Sequence, residues 1–238
     1  MLIKNIIILL VFINIKFVYS DAINVAVSSN FLSTFKIIGL CFEKKYNCDI
    51  NICADSTAHL YNKIINNAPF NLFISADKKH PLLLESRYNK KADIYAYGSV
   101  VLWTNNFVIK KNIIRRFNDV NKFAVANVLY SPYGKYSKMI FKNLNLTKKN
   151  IITGTNINQT YSFIALYNDC IGFVALSQVI HNKINENFFL NIPIYLVSKI
   201  EQRMIIINND SDNLTLLLYN YIKSNECINI IKQFGYKI

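Results

Sequence analysis

The stretch at residues 23–42, INVAVSSNFLSTFKIIGLCF, decides the fold class because its apolar pattern changes period part-way along. Residues 23–28 are mostly apolar and end in a serine, which is typical of a buried strand. Large apolar residues then recur at the spacing of one helical face, at Phe31, Phe35, Ile38 and Phe42. A strand that leads directly into such a helix predicts an α/β unit.

The same alternation continues downstream of this unit. Strands are predicted at 49–54 and 71–75, with a helix at 57–66 between them. This order of elements favours short parallel strands covered by helices. A long apolar strand at 97–103 would then lead the chain out of this first unit.

After that strand the pattern restarts, which predicts a second α/β lobe and a ligand cleft between the two lobes. Further strands are predicted at 123–127, 171–175, 193–197 and 204–207. Further helices are predicted at 134–143, at 159–166, from Ser177 onward, at 212–223 and at 226–234. We expect lobe 1 to hold residues 21–100 and 206–238, and lobe 2 to hold residues 101–205.

Residues 1–20 have the pattern of a secretion signal. A lysine at position 4 precedes an apolar run at 6–13, and Val18 and Ser20 supply acceptable residues ahead of a cleavage point. The apolar run is too short for a helix that spans a bilayer. The pattern predicts export to the periplasm, with an uncleaved anchor or a buried N-terminal strand as the alternative.

The positions of glycine and histidine exclude several common chemistries. The six glycines are too far apart for a GxGxxG loop, a kinase glycine loop or a GxxxxGK[ST] phosphate loop. The three histidines form no HExxH zinc motif, and no GxSxG nucleophile elbow is present. We therefore expect no enzyme and no catalytic residues. The catalytic alternative is an exported hydrolase, whose candidate residues fit no known motif: Asp55, Asp77, Asp93 and His80.

The formal net charge of +13 could indicate an acidic partner, such as nucleic acid or a membrane surface. The chain is, however, rich in Ile, Asn, Lys, Tyr and Phe, the bias that an AT-rich genome imposes. Its basic residues come as scattered pairs, such as Lys44-Lys45 and Arg115-Arg116, and never as one stripe with stacking aromatic residues. Composition favours no nucleic-acid partner, and a basic nucleic-acid-binding protein is the alternative from a different class.

The five cysteines fall at positions 41, 48, 53, 170 and 227. An odd number leaves at least one thiol free in an oxidising compartment. Cys41 would lie on a helical apolar face and Cys53 in a strand, so packing as small apolar residues is the expected role. A disulfide that uses Cys48 stays open.

Polar turns follow the predicted strand ends at four places. They lie at 28–30, 55–57, 131–134 and 154–158, and each leads into a predicted helix. Helix capping is one explanation, because Ser, Thr, Asn and Asp are preferred at helix starts. The other is an anion site, because each helix N-terminus carries roughly half a positive charge and free N–H donors. Four of them around one cleft would suit a fully deprotonated dianion.

Five stretches resemble the molybdate-binding proteins of ABC transporters, the ModA family. They are VAVSSNF at 25–31, NAPFNLFISAD at 67–77, SPYG at 131–134, GFVALSQ at 172–178 and FGY at 234–236. They occur in family order from about residue 22 to residue 238, which is essentially the whole chain after the predicted signal.

The resemblance implies a type II periplasmic binding protein that closes two α/β lobes on molybdate or tungstate. It implies no cofactor, a directly bound oxyanion rather than a bare metal ion, and a monomer. The partners would be the membrane permease and the ATPase of a molybdate ABC transporter. Matched by position, the ligand-binding residues would be Ser29, Asn30, Ser56 and Thr57 from lobe 1, with Tyr133 and the backbone N–H of Ile157 from lobe 2.

Two residues depart from the family pattern. Asp55 stands where the family usually has a small neutral residue, and Ala58 replaces a frequent glycine. A carboxylate beside a dianion would weaken binding unless it faces away or caps the helix. Asp55 thus keeps open a protein of the same fold that binds another anion, such as sulfate, phosphonate or a carboxylate. We expect the hinges near 98–103 and 199–204.

Overall fold

Two five-stranded sheets organise the chain in a computed structural model that describes residues 22–109, 120–146, 150–193, 195–208 and 213–238. The predicted signal at 1–20 lies outside the described residues. No helix among the described residues is long and apolar enough to cross a membrane.

The first sheet combines three parallel strands with two antiparallel ones. Strands β1 (Ala22–Ser28), β2 (Asp49–Asp55) and β3 (Leu72–Ile74) are parallel, with β1 in the middle. Strand β10 (Ile200–Ile206) runs antiparallel to β3 and to β4 (Asp93–Gly98). The strand order is β2-β1-β3-β10-β4.

Five α-helices belong to the segments around this sheet. They are α1 (Leu32–Tyr46), α2 (Thr57–Ile65), α3 (Lys79–Tyr88), α7 (Leu214–Ile222) and α8 (Asn225–Gln233). A 3-10 turn at Ser29–Phe31 connects β1 to α1. The predicted apolar stripe is confirmed, because Phe31, Phe35, Ile38 and Phe42 are completely buried against the sheet. Lobe 1 is this sheet with its helices.

The second sheet has the same arrangement of parallel and antiparallel strands. Strand β6 (Lys122–Ala126) is parallel to β7 (Ile151–Gly154) and β8 (Cys170–Ala175), and β5 (Val100–Thr104) lies antiparallel between β8 and β9 (Phe189–Asn191). The helices of these segments are α4 (Pro132–Asn143), α5 (Ile157–Leu166) and α6 (Leu176–His181). Lobe 2 is this sheet with its helices, so the predicted two-lobe α/β architecture is confirmed.

The expected single strand at 97–103 is wrong, because two strands meet there. Gly98 pairs with Ile200 in the first sheet, whereas Val100 pairs with Ala175 in the second. The chain therefore crosses between the lobes at Ser99.

The return crossing also differs from the expectation. The whole of β10 hydrogen-bonds to β3 and β4, so Ile200 onward belongs with the first sheet, and the expected boundary at 205/206 lies too late. The strand expected at 193–197 is a turn at its described residues, because the N–H of Leu196 bonds back to the carbonyl of Pro193. Among the α-helices and strands of the described residues, α3, β7 and β9 had no sequence prediction.

The five cysteines are all free thiols, so the disulfide left open for Cys48 is not formed. Cys53 lies in β2 and Cys41 is half-buried on α1, as predicted. Burial raises the pKa of Cys170 and Cys227 to about 11, so both remain protonated thiols.

Two buried glycines should respond in opposite ways to an added methyl group. A β-carbon on Gly39, in α1, would meet Ile50 at an ordinary 3.7 Å, whereas one on Gly172, in β8, would collide with the carbonyl oxygen of Ala124. We expect Gly39→Ala to raise the free energy of unfolding by about 0.5–1 kcal/mol, because glycine is costly inside a helix. We expect Gly172→Ala to lower it by about 1–3 kcal/mol through overpacking. Urea denaturation compares the two variants, and similar effects from both would contradict the packing described.

Candidate functional site

The carboxyl ends of the parallel strands in both lobes supply the candidate site. In lobe 1 these ends lead to Ser29 and Asn30 after β1 and to Ser56 and Thr57 after β2, and in lobe 2 to Tyr133 after β6 and Ile157 after β7. None of the six predicted residues is more than 6% exposed. Helix α5, which begins at Ile157, packs against the 3-10 turn Ser29–Phe31 of lobe 1. The predicted residues thus lie where the two lobes meet.

A pair of hydroxyl groups lies between β1 and α2. The hydroxyl oxygens of Ser28 and Thr57 are 2.7 Å apart, and the N–H of Ala76 lies 2.9 Å from the first and 3.2 Å from the second. Because an N–H can only donate, both oxygens accept from Ala76. One hydroxyl proton then forms the bond between the pair, and the other is left for a further acceptor.

Ser56 has a buried hydroxyl without a hydrogen-bond partner among the described residues. It is the N-cap residue of α2, yet its side chain makes no capping bond. Asn156 in lobe 2 differs, because its side chain accepts from the N–H groups of Asn158 and Gln159. Capping therefore accounts for the polar side chain at Asn156 and does not account for the one at Ser56. A buried hydroxyl that stays unpaired costs free energy unless something else binds it.

Asp55 is held within lobe 1. Its carboxylate accepts from the N–H of Ser56 at 2.7 Å, and it lies 3.3 Å from both His59 and Lys63. Burial alone would raise the pKa of Asp55, but these hydrogen bonds and the charge of His59 lower it. The carboxylate is therefore ionised and faces the basic side chains of His59 and Lys63 on α2. It does not cap the helix, because its backbone partner is the N–H of the N-cap residue Ser56.

The other residues of the hydrolase alternative also have structural partners. Asp77 accepts from the backbone N–H of His80 and lies 2.8 Å from its ring, at the start of α3. Asp93 pairs with Lys223. Each acid therefore has a nearby structural partner.

The direction of one hydrogen bond at the centre of the site follows from a backbone carbonyl. The Tyr236 hydroxyl lies 2.8 Å from the carbonyl oxygen of Asn30, and the Ser177 hydroxyl lies 3.0 Å from the same oxygen and from Tyr236. A carbonyl oxygen only accepts, so the single proton of Tyr236 goes either to it or to Ser177, which itself donates to the carbonyl. In both cases the proton is not available to the Asn30 side chain. The side-chain atom of Asn30 that lies 3.1 Å from Tyr236 must then be the donor, its amide nitrogen.

The same direction passes on through Gln202 to Tyr133. The amide nitrogen of Asn30 donates at 3.1 Å to the side-chain oxygen of Gln202. The Tyr95 hydroxyl lies 2.7 Å from that oxygen and 3.0 Å from the carbonyl oxygen of Ser75, and its one proton is shared between these two acceptors.

The amide nitrogen of Gln202 therefore faces the Tyr133 hydroxyl at 3.4 Å, and that of Asn30 lies 3.5 Å from it. The Gln202 amide thus donates to the Tyr133 oxygen. Both N–H protons of the Asn30 amide are already used by Tyr236 and Gln202, so its 3.5 Å approach to the phenol adds no full hydrogen bond. The proton of Tyr133 is left for another acceptor.

The three phenols of this network remain protonated. Burial raises the pKa of Tyr95, Tyr133 and Tyr236 well above the usual range for tyrosine. Each therefore keeps its O–H donor throughout the pH range in which the protein would work.

Several contacts join the lobes around the candidate site. Tyr133 contacts Asn30 and Gln202 across the cleft, and the N–H of Ala58 donates to the carbonyl of Tyr130 at 3.1 Å. The rings of His59 and Tyr130 are 4.2 Å apart. The Tyr130–Tyr133 segment thus touches lobe 1 at both of its ends, and the lobes are closed on each other.

The sequence analysis predicted six site residues and did not assign a role to five others that contribute to the network of the described residues: Ser28, Tyr95, Ser177, Gln202 and Tyr236. The signal for Gln202 was present, because it lies between Ile200 and Met204 on the buried face of β10. A glutamine that alternates with apolar residues on the buried face of a strand predicts a polar partner in the protein interior. The sequence also placed Tyr133 ahead of its helix, whereas it lies in the first turn of α4.

A metal ion has no evident place among the described residues, because they contain no group of three or more His, Cys, Asp or Glu side chains suited to hold one. The groups gathered at the cleft are neutral hydroxyls and amides. Their free protons suit an acceptor-rich guest.

Asp77 should stabilise the protein only while it is ionised. Burial alone would raise its pKa, but hydrogen bonds from His80 and the charge of Lys135 in lobe 2 lower it below the ordinary 3.8. The stabilisation is thus complete above pH 3.8 and disappears as the pH falls through the lowered value. We expect Asp77→Asn to cost about 1–2 kcal/mol at pH 7 and much less near pH 3. Chemical denaturation at both pH values measures this.

The matched control is Asp169→Asn, because the side chains of Asp169 and of its ion-pair partner Lys122 are both exposed. We expect little change from this control at either pH. An Asp77→Asn loss that is equal at both pH values would contradict the assignment.

Comparison with known proteins gives one family and a consistent set of relatives. The sequence pattern of the family described as "Bacterial extracellular solute-binding protein" matches residues 23–237. The molybdate-binding protein ModA of Azotobacter vinelandii is 32% identical over 224 residues, covering 90% of this chain and 89% of that protein. ModA of Rhodobacter capsulatus is 29% identical over 220 residues, covering 89% and 86%. The solved structure of the A. vinelandii periplasmic molybdate-binding protein superimposes with a TM-score of 0.84 at 26% identity, covering 91% of this chain and 99% of that one.

Proposed function

Because the chain belongs to the bacterial extracellular solute-binding proteins, and among them to the ModA family, we propose that it captures molybdate between its two lobes. Tungstate, which has the same charge and shape, is expected to bind in the same place. The observation that carries the proposal is the set of buried, uncharged donors at the meeting of the lobes, with the unpaired Ser56 hydroxyl among them.

The proposed ligand groups are donors at the meeting of the lobes, and Thr57 is among them because the hydroxyl pair that it forms with Ser28 has one proton to spare. They are the hydroxyls of Ser29, Ser56, Thr57 and Tyr133 with the backbone N–H groups of Asn30 and Ile157. The side-chain amide of Asn30 is engaged with Gln202 and Tyr236, so we assign its backbone N–H instead. Asn156 caps α5 through the N–H groups of Asn158 and Gln159, which leaves the N–H of Ile157 outside the cap.

These donors favour a fully deprotonated tetrahedral oxyanion. Such an anion only accepts hydrogen bonds, so each donor finds an acceptor. The N-termini of α2 and α5 add partial positive charge without a buried lysine or arginine. An anion with a proton of its own would place that proton against a donor, which is unfavourable. Size then selects among the tetrahedral dianions.

Capture and delivery would involve no chemical change of the ligand. Ligand that contacts both lobes stabilises the closed state by its differential affinity for that state. We place the hinges where the chain crosses between the sheets, at Ser99 and between Asn191 and Ile200. The closed protein, exported as a monomer to the periplasm, would then deliver the anion to a membrane permease driven by its ATPase.

Thermal melts of residues 21–238 with molybdate, tungstate, sulfate, phosphate or no anion test the proposal. Ligand at 100 times its dissociation constant stabilises by about 2.7 kcal/mol, which is a shift of several degrees for a chain of this size. We expect a shift with molybdate and tungstate only. A shift with sulfate instead would indicate the other-oxyanion alternative, and no shift with any anion would contradict the proposal.

The double variant Thr57→Ala/Tyr133→Phe should lose molybdate affinity by roughly 100-fold or more, because each lost hydrogen bond to a charged acceptor costs about 1.5–3 kcal/mol. Isothermal titration measures the affinity. Ser162→Ala is the control, since its exposed hydroxyl bonds only to the carbonyl of Asn158 in its own helix. An unchanged affinity in the double variant would refute the site assignment.

Ser56→Ala separates a ligand role from a structural role. The hydroxyl has no hydrogen-bond partner in the described part of the chain, so its removal should leave the melting temperature without ligand unchanged or slightly higher. Molybdate affinity should fall by about 10-fold. A variant that loses stability but keeps its affinity would show that Ser56 serves the fold alone.

A further inference from the structure

Tyr133 belongs to lobe 2, but the two groups that face its hydroxyl oxygen belong to lobe 1. They are the amides of Asn30, in the turn after β1, and of Gln202, in the middle of β10. These contacts cross the cleft and therefore require closed lobes. In an open form the phenol would bond to water with no fixed direction.

Gln202 has no freedom to present its amide in the other direction. Its side-chain oxygen accepts from the Asn30 amide, whose direction is set by Tyr236 and the Asn30 carbonyl. Gln202 is completely buried, so no water can replace these partners. Its nitrogen therefore meets Tyr133 as a donor.

We propose that Gln202 is a positioning residue that makes Tyr133 a hydrogen-bond donor to the captured anion at the moment of closure. By donating to the Tyr133 oxygen, the amide of Gln202 makes that oxygen an acceptor and leaves the phenol proton for the cleft. Closure of the lobes thus also orients the Tyr133 O–H toward the anion. The inference rests on the proposed function, because it concerns how the anion site is completed.

The space for this arrangement comes from Gly98, the last residue of β4. A β-carbon there would collide with the side-chain nitrogen of Gln202 and would lie 2.6 Å from the Tyr133 hydroxyl oxygen. The absence of a side chain at the crossing point thus lets a phenol from one lobe and an amide from the other meet.

A double-mutant cycle between Gln202 and Tyr133 tests the inference. Isothermal titration with molybdate would compare wild type, Gln202→Met, Tyr133→Phe and the double variant. Methionine keeps similar bulk without either hydrogen bond. We expect Gln202→Met to weaken binding by about 10-fold, the value of one hydrogen bond to a charged group. In the Tyr133→Phe background the same change should weaken binding by less than about 3-fold, since there is no phenol left to orient.

Gln202→Glu distinguishes hydrogen-bond direction from packing. It has the same shape, but an ionised carboxylate only accepts, so it would take the Tyr133 proton away from the anion. We expect a larger loss than with Gln202→Met at pH 8, and a smaller difference between the two in the Tyr133→Phe background. The loss from Gln202→Glu that remains in that background measures direct charge repulsion. If Gln202→Met does not fold, the comparison of Gln202→Glu with and without Tyr133→Phe tests the inference.

Thr104→Val is the structural control, because Thr104 is buried in lobe 2 and donates one hydrogen bond to the carbonyl of Cys170. It should lower the melting temperature without changing molybdate affinity. A Gln202 effect that is the same with and without the Tyr133 phenol would overturn the inference and leave the proposed function intact. Failure of the wild type to bind molybdate or tungstate would instead overturn the proposed function, and the inference with it.

Discussion

The hydrogen bond from Tyr236 to the backbone carbonyl of Asn30 sets the direction of the other bonds in the buried network. A carbonyl oxygen cannot donate, so this contact keeps the Tyr236 proton away from the Asn30 side chain. The amide nitrogen of Asn30 then faces Gln202, and the amide nitrogen of Gln202 faces Tyr133. A low-dielectric interior makes any unpaired member of such a network costly, and this holds its direction against reversal. The free protons that remain all belong to neutral groups. The site can therefore attract an anion without burying a positively charged side chain, whose desolvation would cost several kcal/mol.

The topology brings these groups together because strands of both lobes end at the cleft. The chain also crosses twice from one sheet to the other. Each lobe has its own apolar core, with α1, α7 and α8 packed in lobe 1 and α4 in lobe 2. Between the cores lie the polar side chains of the site, while Ala76 and Ile200 of lobe 1 pack into the apolar core of lobe 2. The Tyr130–Tyr133 segment contacts lobe 1 at both ends, and it is the natural element to report whether the cleft is open or closed.

Local patterns predicted much of this fold, and non-local pairing explains what they missed. The apolar stripe of α1, the strand β8 and the polar turns after β1 and β2 could be identified from period and turn chemistry alone. The crossing between the sheets at Ser99 could not be identified in this way, because it depends on which sheet the residues on each side of Ser99 join. The same holds for β10, whose partners are far away in sequence. Within the site, the sequence located the ligand candidates through a family resemblance, but the direction of each hydrogen bond follows only from contacts among residues such as Tyr236 and Gln202.

The contact between Asn30 and Tyr236 joins residues that are 206 positions apart in the chain, and this separation has a kinetic consequence. Contacts that close so long a loop form late in folding, because the chain entropy must be lost before they contribute. The cleft would then be absent from the folding transition state, and an anion bound there would stabilise the native protein by slowing its unfolding while leaving its refolding rate nearly unchanged. The folded chain would thus persist longer before unfolding where the anion is abundant and would unfold sooner where the anion is scarce.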